Sequence, residues 1–176
     1  EYDICCVARL TKQKNPERFI KIIKEIKKEN NNIKAIWVGN GELYDEMVNK
    51  ANELNLSTNI KFVGFQKNPY TYMKKSKVFL LTSDWEGFGL VAFEALALGL
   101  PCVVNNVGGL PLIVDDSCGK LCNNDNEIIK EIEKLINNDD YYSSKHLYAI
   151  KKSKKLDNID SYMNNIESIY NDIMAK

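Results

Sequence analysis

The stretch SDWEGFGLVAFEALALGLPCVV, residues 83–104, runs from the end of one strand through a glycine-containing loop and a helix into the next strand. The apolar run KVFLLTS (77–83) precedes it, and Gly99 and Pro101 end the helix before the strand-like run PCVVNN (101–106). Strands that are apolar on both faces and joined by a helix are typical of parallel sheets covered on both sides. The stretch therefore predicts an α/β fold.

The same alternation continues along the chain. Further strand-like runs occupy residues 2–7, 33–39, 59–65 and 119–122. Segments with helical apolar spacing follow Asn15 and occupy residues 43–54, 69–76 and 127–136. This order predicts a doubly wound, Rossmann-like parallel sheet of about six strands with helices on both faces. Such sheets bind ligands at the carboxyl ends of their strands, which directs attention to the loops at 8–15, 39–42, 64–69, 83–89 and 105–111.

Composition excludes several classes of function. The 24 Lys and Arg residues balance 24 Asp and Glu residues, so the chain lacks the positive excess that a broad grip on nucleic acid needs. Cys118 and Cys122 have no histidine nearby and no CxxC pair occurs, so we expect no zinc site. We expect the five cysteines to be reduced and buried in a cytoplasmic protein. The strand-like start at Tyr2 leads us to expect that a further segment precedes this one.

The chain changes character near residue 140. We expect residues 1–140 to form the ligand-binding domain and residues 141–157, which are rich in Lys, Ser and Tyr, to form a polar connection. An apolar stripe at helical spacing then predicts a terminal helix over 159–174, formed by Ile159, Tyr162, Met163, Ile166, Ile169, Tyr170 and Ile173. This helix is expected to pack on the same domain or on an absent partner domain.

The loop before the central helix is a candidate anion site. Gly87 and Gly89 lie between a strand and a helix start, where free backbone N–H groups and the helix dipole favour a phosphate. The expected donors are the N–H groups of Gly89, Leu90 and Val91. Glycine turns also open many helices that bind nothing, so the turn alone is weak evidence.

Glu86 and Glu94 flank this helix start and are separated by seven residues. Glu94 is surrounded in sequence by apolar residues, and a carboxylate in such a setting is costly unless it is hydrogen-bonded. A pair of sugar hydroxyls would satisfy it. The alternative is that an acidic residue in the first turns merely favours the helix dipole.

The segment ARLTKQKNP (8–16) supplies candidate cations. Arg9 is one of only two arginines, and its rigid fork of donors suits phosphate. Lys14 follows in the same loop, and two cations at the end of a strand are able to clamp a diphosphate. Loop lysines are more often solvated, which is the interpretation we favour for Lys12.

Two further glycine segments follow strands, and a histidine stands apart. Gly39 in GNGEL, and Gly108 and Gly109 in NVGGLP, either approach a ligand or form tight turns. For Gly39 the turn is favoured on local grounds. His146, the only histidine, is interpreted as a solvated surface residue with no role.

Together these motifs resemble the C-terminal domain of the GT-B-fold retaining glycosyltransferases of group 1, also called family four. EGFGLVAFEALALGLPCVV resembles the glutamate, seven residues, glutamate motif of that family, and ARLTKQKNPERFI resembles its Arg-Leu…Lys-Asn segment. NVGGLPLIV and CGKLC resemble its later glycine segments, so the resemblance covers roughly residues 2–138. Several motifs in the right order are specific, whereas no single motif is.

The resemblance implies a role for each matched residue. Arg9 and Lys14 would hold the donor diphosphate and stabilise the leaving nucleotide in catalysis, and the third residue of the catalytic group, Glu86, would contact the donor sugar. Glu94 would bind the ribose hydroxyls, and Gln66 lies where the family has its nucleobase pocket. The remaining residues implied to bind substrate are Phe88, Gly89, Leu90, Val91 and Gly39. The family's commonest donor is a UDP-sugar, and no metal is implied because Arg and Lys take its place.

The resemblance has two departures and leaves alternatives open. Ala8 stands where the family usually has glycine, and Leu112 stands where it commonly has glutamate. The acceptor would be a glycan or a lipid-linked sugar bound partly by an N-terminal domain, through which any membrane contact would be made. Without that domain we expect weak nucleotide binding and no transfer. The alternatives are an epimerase-type GT-B domain, which a single late histidine disfavours, and a non-catalytic nucleotide-binding module.

Overall fold

The computed structural model describes residues 1–156 and contains one six-stranded parallel sheet. The strands stand in the order β3-β2-β1-β4-β5-β6, and each pair of neighbours is parallel. Their bounds are β1 Tyr2–Val7, β2 Ala35–Val38, β3 Ile60–Phe62, β4 Ser76–Leu81, β5 Cys102–Asn105 and β6 Gly119–Cys122. The predicted doubly wound α/β sheet is confirmed.

Helices connect the strands and cover the sheet. Their bounds are α1 Pro16–Glu29, α2 Tyr44–Glu53, α3 Tyr70–Met73, α4 Leu90–Ala97, α5 Leu110–Ile113, α6 Asp125–Asn137 and α7 Asp139–Leu156. A single 3-10 turn, Lys12–Lys14, lies in the loop between β1 and α1. The helices predicted within residues 1–140 are therefore present, with ends that shift by one to three residues.

Helix α1 shows how the sequence specifies an element. Pro16 occupies the first helical position, and the Asn15 side chain accepts a hydrogen bond from the Arg18 N–H at 3.1 Å. Asn15 adopts φ 46°, a left-handed conformation that asparagine tolerates better than most residues. The helix then buries an apolar stripe against the sheet, formed by Phe19, Ile20, Ile22, Ile23 and Ile26.

The core lies on both faces of the central strands. In β4, Val78, Phe79, Leu80 and Leu81 are all fully buried, which explains why this strand reads as a continuous apolar run. Burying such a side chain stabilises the fold by about 1.5–3 kcal/mol. All five cysteines are free and buried, as predicted.

The strand order reverses between β1 and β4. The chain leaves β1 toward β2 and β3 on one side and continues from β4 toward β5 and β6 on the other. The crevice outside the carboxyl ends of two such strands is where doubly wound sheets bind ligands. The loops after β1 and β4 therefore face each other across this switch point.

The segment predicted as a polar connection is a helix instead. Residues 139–156 form α7, which packs against α4 and α6. Its buried positions are Lys145, Ala149 and Ser153, which are spaced by four residues. Because two of these three side chains are polar, a search for apolar residues at helical spacing does not detect the buried face. Burial of Lys145 is tolerated because its ammonium donates to the carbonyls of Asp116 and Gly119.

One other interpretation changes at this end of the chain, that of His146. His146 is partly buried rather than solvated, with Nδ1 lying 2.6 Å from the carbonyl oxygen of Gly99 and its ring stacked on Tyr142. Gly99 follows α4, so this contact lies away from the carboxyl edge of the sheet. The terminal helix predicted over residues 159–174 lies outside the described residues.

Candidate functional site

A buried ion pair joins the two loops at the switch point. Lys14 Nζ lies 2.5 Å from Glu86 Oε1, and the two side chains are only 14% and 7% exposed. Ser83 Oγ donates to the same carboxylate oxygen at 2.7 Å. The residues of the pair are 72 positions apart in sequence, so the fold itself creates this contact. Lys14 and Glu86 are thus brought together as a pair, whereas the sequence indicated Lys14 as a free cation.

Further hydrogen bonds hold the same loops against each other. Asp84 N–H donates to the Gln13 carbonyl at 2.9 Å, and Gln13 Nε2 donates to the Trp85 carbonyl at 3.0 Å. Asn15 Nδ2 donates to Asp84 Oδ1 at 2.9 Å. These hydrogen bonds cross the switch point and hold the loop after β1 against the loop after β4.

The start of α4 presents free backbone donors. Gly89 precedes the helix with φ 84°, and no side chain caps it. Within residues 1–156, the N–H groups of Gly89, Leu90 and Val91 have no hydrogen-bond acceptor. The left-handed backbone favours glycine here, and a Cβ would lie 2.5 Å from Leu110 Cδ2, so a larger residue would also have to displace that methyl group. Because α4 begins at Leu90, Phe88 belongs to the loop.

The glycines after β5 serve packing rather than a pocket floor. A Cβ at Gly108 would lie 1.8 Å from the Glu86 carbonyl oxygen, and one at Gly109 would lie 2.3 Å from that of Gly87. Gly109 N–H also donates to the Gly87 carbonyl at 2.8 Å. The loop after β5 therefore supports the backbone of the loop that carries Glu86.

Gly39 has a similar structural explanation. It adopts φ 145°, its N–H donates to the Gly64 carbonyl at 2.8 Å, and a Cβ there would lie 1.9 Å from the Ala8 carbonyl oxygen. Trp37 Nε1 donates to that same Ala8 carbonyl at 2.9 Å. The loop that carries Arg9 is thus anchored to the buried core, and the close approach that Gly39 permits is to this loop.

Among the described residues, Arg9, Glu94 and Gln66 form no hydrogen bond or salt bridge with the ion pair. Arg9 is exposed and forms no ion pair or side-chain hydrogen bond among the described residues. Glu94 is half-buried, one turn into α4, and likewise has no partner in that part of the chain. Gln66, after β3, donates through Nε2 to the Val63 carbonyl at 2.8 Å. All three follow strands at the carboxyl edge of the sheet or lie in the helix that begins there.

Large apolar side chains are exposed around the loop after β4. Trp85 is 63% exposed, Phe88 49% and Leu90 64%. Leu112, in the position where the sequence departs from the resembled motif, is 66% exposed on α5.

Beneath the loop, burial raises the pKa of the Cys6 thiol well above its usual value, so this cysteine stays neutral and is no nucleophile.

An open depression lies between the loop after β1 and the first turn of α2. Its volume is about 330 Å³, and its lining comes from the loop after β1, the first turns of α1 and α2, and Asp84: Lys12, Asn15, Pro16, Glu17, Leu43, Glu46, Met47 and Asp84. None of the predicted site residues lines it.

The described residues contain no group of three or more His, Cys, Asp or Glu side chains able to hold a metal ion. In the same residues, no helix combines the length and the apolar composition that crossing a bilayer needs.

Comparison with known proteins connects this geometry to a family. A family model described as Glycosyl transferases group 1 matches residues 1–156. The chain belongs to the group 1 glycosyltransferases. It corresponds to the C-terminal domain of these GT-B-fold proteins, as the sequence predicted.

Two curated relatives of this group 1 glycosyltransferase domain have descriptive names. One is the Campylobacter jejuni N-acetylgalactosamine-N,N'-diacetylbacillosaminyl-diphospho-undecaprenol 4-alpha-N-acetylgalactosaminyltransferase, to which this chain is 36% identical over 126 residues. The match covers 70% of this chain and 34% of that protein. The other is the Escherichia coli UDP-Gal:alpha-D-GlcNAc-diphosphoundecaprenol alpha-1,3-galactosyltransferase, to which this chain is 39% identical over 107 residues. That match covers 58% of this chain and 27% of the relative. The matched region spans about a third or less of these relatives.

A solved structure shows the same fold. Anabaena HepE, crystallised in complex with UDP and glucose, superposes with a TM-score of 0.84 at 20% identity. The match covers 98% of this chain and 48% of that chain. At this level of identity the likeness establishes the fold of the group 1 domain.

Sequence reasoning missed the residues that support the ion pair. Thr82 Oγ1 donates to the Lys14 carbonyl at 3.0 Å, Ser83 contacts Glu86, and Asn105 donates to the carbonyls of both Thr82 and Ser83. The available signal was a set of polar residues at the ends of two otherwise apolar strands. Such residues are buried here, and buried polar groups almost always have specific partners.

Proposed function

We propose that this domain binds the donor of a glycosyltransferase that moves a hexose-type sugar from a nucleoside diphosphate, UDP, to a glycan or lipid-linked acceptor with retention of configuration. The observation that carries the proposal is the Lys14–Glu86 ion pair, which joins the loops after β1 and β4 beside the free start of α4. A cation, a carboxylate and free backbone N–H groups at a switch point are the groups that a pyrophosphate with an attached sugar requires.

Lys14 and Arg9 supply positive charge for the diphosphate. The Lys14 ammonium has three donors, and within residues 1–156 its one side-chain hydrogen bond is to Glu86 Oε1, so further donors remain for phosphate oxygens. The exposed Arg9 guanidinium offers its planar fork. As the bond between sugar and diphosphate breaks, negative charge grows on the leaving group, and fixed cations stabilise that state. In this scheme no metal ion is required.

The two glutamates are assigned to hydroxyl groups. In the described part of the chain, both hydrogen bonds to the Glu86 carboxylate fall on Oε1, from Lys14 and from Ser83, which leaves Oε2 to accept from a hydroxyl of the donor sugar. Glu94 is half-buried without a partner in residues 1–156, and a carboxylate in that state gains from added donors. The two ribose hydroxyls supply such donors.

The remaining contacts come from backbone and amide groups. The N–H groups of Gly89, Leu90 and Val91 point the positive end of α4 at the phosphate. Because Gln66 uses Nε2 on the Val63 carbonyl, its Oε1 is free to accept from the nucleobase. Of the other predicted contacts, we keep Phe88 as a wall of the sugar pocket and assign Gly39 to loop packing.

The names of the relatives support retention and a lipid-linked acceptor. One names a UDP-galactose donor with an α-1,3 product, the other a 4-α product, and both name a diphospho-undecaprenol acceptor. A sugar that leaves an α-linked nucleotide and arrives in α linkage has kept its configuration. We place the corresponding reaction at the cytoplasmic face of a membrane, with the acceptor held by a second domain, so that this chain alone binds the donor and transfers nothing.

The proposal is tested by calorimetric titration of the chain with UDP and UDP-sugars. Arg9→Ala and Glu94→Ala are each expected to weaken UDP binding about tenfold or more, because hydrogen bonds to charged groups contribute about 1.5–3 kcal/mol. Arg18→Ala is the matched control, since Arg18 is the only other arginine and pairs with Asp125. The absence of binding by any nucleoside diphosphate, or equal losses in Arg9→Ala and Arg18→Ala, would overturn the proposal.

A further inference from the structure

Asn105 forms an unusual contact at the end of β5. Its side chain is buried, with 5% of the residue exposed, and Nδ2 donates to the carbonyls of Thr82 and Ser83 at 3.2 and 2.8 Å. The orientation of the amide follows from chemistry, because the opposite orientation would place Oδ1 against two carbonyl oxygens. Both hydrogens of the amide are therefore committed to the neighbouring strand end.

These two carbonyls depend on Asn105. Strand β4 ends at Leu81, and neither the Thr82 nor the Ser83 carbonyl accepts from a backbone N–H within residues 1–156. Buried carbonyls without a partner are costly, so the Asn105 amide replaces the strand hydrogen bonds that are missing beyond Leu81.

The residues that Asn105 holds are those that contact the ion pair. Ser83 Oγ donates to Glu86 Oε1 at 2.7 Å. The single Thr82 Oγ1 hydrogen is shared between the carbonyls of Lys14 at 3.0 Å and Asn15 at 3.1 Å. One amide thus fixes the strand end from which both members of the pair are supported.

The side-chain oxygen of Asn105 indicates that an asparagine is present here for its hydrogen bonds and not merely to fill space in the core. Asn105 Oδ1 is buried and has no hydrogen-bond partner among the described residues. A buried acceptor without a partner carries a desolvation penalty that an apolar residue of the same size would avoid. The donating half of the amide is the part that offsets this penalty.

We propose that Asn105 is a positioning residue of the donor site, which holds Thr82 and Ser83 so that Glu86 stays hydrogen-bonded and paired with Lys14. The proposal rests on the proposed function in one respect, namely that Glu86 contacts the donor sugar. Its structural half, the hold on the ion pair, is independent of any nucleotide.

The chain offers a matched control. Asn59 is also buried, 3% exposed, and its Nδ2 also donates to two carbonyls, those of Asn31 and Ile33, at 3.0 and 2.9 Å. It precedes β3, at the opposite edge of the sheet from the candidate site. Asn59→Leu and Asn105→Leu therefore remove the same chemistry at two ends of the fold.

The first measurement is trace labelling of lysine amines with an acylating reagent, read at Lys14 by peptide mass spectrometry. Asn105→Leu is expected to raise the Lys14 labelling rate about fivefold or more, because a charge-assisted contact is loosened. Asn59→Leu should leave it unchanged, and Glu86→Gln sets the upper limit. Asn105→Asp, which keeps the shape and removes the donors, is measured alongside in case the leucine variant does not fold. Unchanged labelling in a folded Asn105 variant would overturn the proposal.

The second measurement separates this inference from the proposed function. In calorimetry, Asn105→Leu should weaken binding of a UDP-sugar more than binding of UDP, while Asn59→Leu changes neither. Equal losses for the two ligands would contradict the positioning role at the sugar. If the unmodified chain binds neither ligand, the proposed function fails, and the labelling result still decides whether Asn105 holds the ion pair.

Discussion

Lys14 and Lys145 are both largely buried lysines, yet their surroundings differ in kind. The Lys14 ammonium pairs with Glu86, whose second carboxylate oxygen is free among the described residues, beside a helix start with free N–H groups. The Lys145 ammonium donates to the carbonyls of Asp116 and Gly119, at the opposite edge of the sheet. The first arrangement leaves a carboxylate oxygen and backbone N–H groups free at the switch point, whereas the second commits two of the three ammonium donors to backbone carbonyls that hold α7 on the domain. Burial of a cation therefore indicates a binding site only where nearby polar groups remain free.

The largest expected effect is on the Lys14 side of this comparison. Lys14→Ala leaves Glu86 buried without its counter-charge, so the free energy of unfolding at pH 7 should fall by about 3 kcal/mol. The double variant Lys14→Met/Glu86→Leu should recover most of that loss, because no uncompensated charge remains. Urea denaturation measures both, and a Lys14→Ala variant as stable as the unmodified chain would contradict the buried pair.

A smaller loss is expected for Lys145. Lys145→Met keeps the apolar stem but leaves two carbonyls without their donor, which should lower the free energy of unfolding by about 2 kcal/mol. UDP affinity should not change. Urea denaturation and calorimetry check the two halves, and a tenfold loss of UDP affinity in this variant would break the distinction between the two lysines.

Gly89 tests the helix start. Gly89→Ala should cost about 1–2 kcal/mol because φ 84° disfavours residues with a Cβ, and the contact with Leu110 adds to that strain. UDP binding should weaken as the loop shifts. Gly87→Ala is the control, since a Cβ there meets nothing within 4 Å. Equal thermal midpoints for the two variants would show that the start of α4 is not constrained as described.

The smallest expected effect concerns Asp115, near Lys145. Burial opposes its ionisation, but hydrogen bonds from Lys152 and Ser117 outweigh burial and hold the pKa of Asp115 below its usual value. A lowered pKa stabilises the fold above the unfolded value of about 3.9 and loses that contribution as pH falls. Since the side chain is 46% exposed, Asp115→Asn should cost only about 0.5 kcal/mol at pH 7.

The pH dependence gives the sign test for Asp115. The difference in unfolding free energy between Asp115→Asn and the unmodified chain should shrink as pH falls from about 4 toward 2. Urea denaturation at several pH values measures it. A difference that grows in acid would mean that the carboxylate is not stabilised by Lys152.

The sequence was sufficient for the sheet because its signals are local. Apolar runs such as 77–83 and caps such as Asn15 with Pro16 locate strands and helix starts without any knowledge of the fold. Helix α7 escaped prediction because its buried stripe consists of Lys145, Ala149 and Ser153, whose partners are carbonyls and neighbouring helices. Hydrophobic spacing carries no information about such a stripe.

The sequence predicted which loops carry the candidate site, but it did not predict which side chains in those loops contact each other. Placing Lys14 and Glu86 after strands was enough to put them at one edge of the sheet. Their pairing depends on how two loops cross the switch point, and the roles of Ser83 and Asn105 depend on where β4 stops pairing. The roles assigned to Arg9 and Glu94 stay predictions.

The most direct test of the site is a titration of the ¹⁵N-labelled chain with UDP, followed by NMR of the backbone amides. We expect the largest chemical-shift changes at Gly89, Leu90 and Val91, while the amides of 116–119, beside Lys145, stay unchanged. Largest changes at 116–119, or none at the start of α4 under saturating UDP, would contradict this expectation.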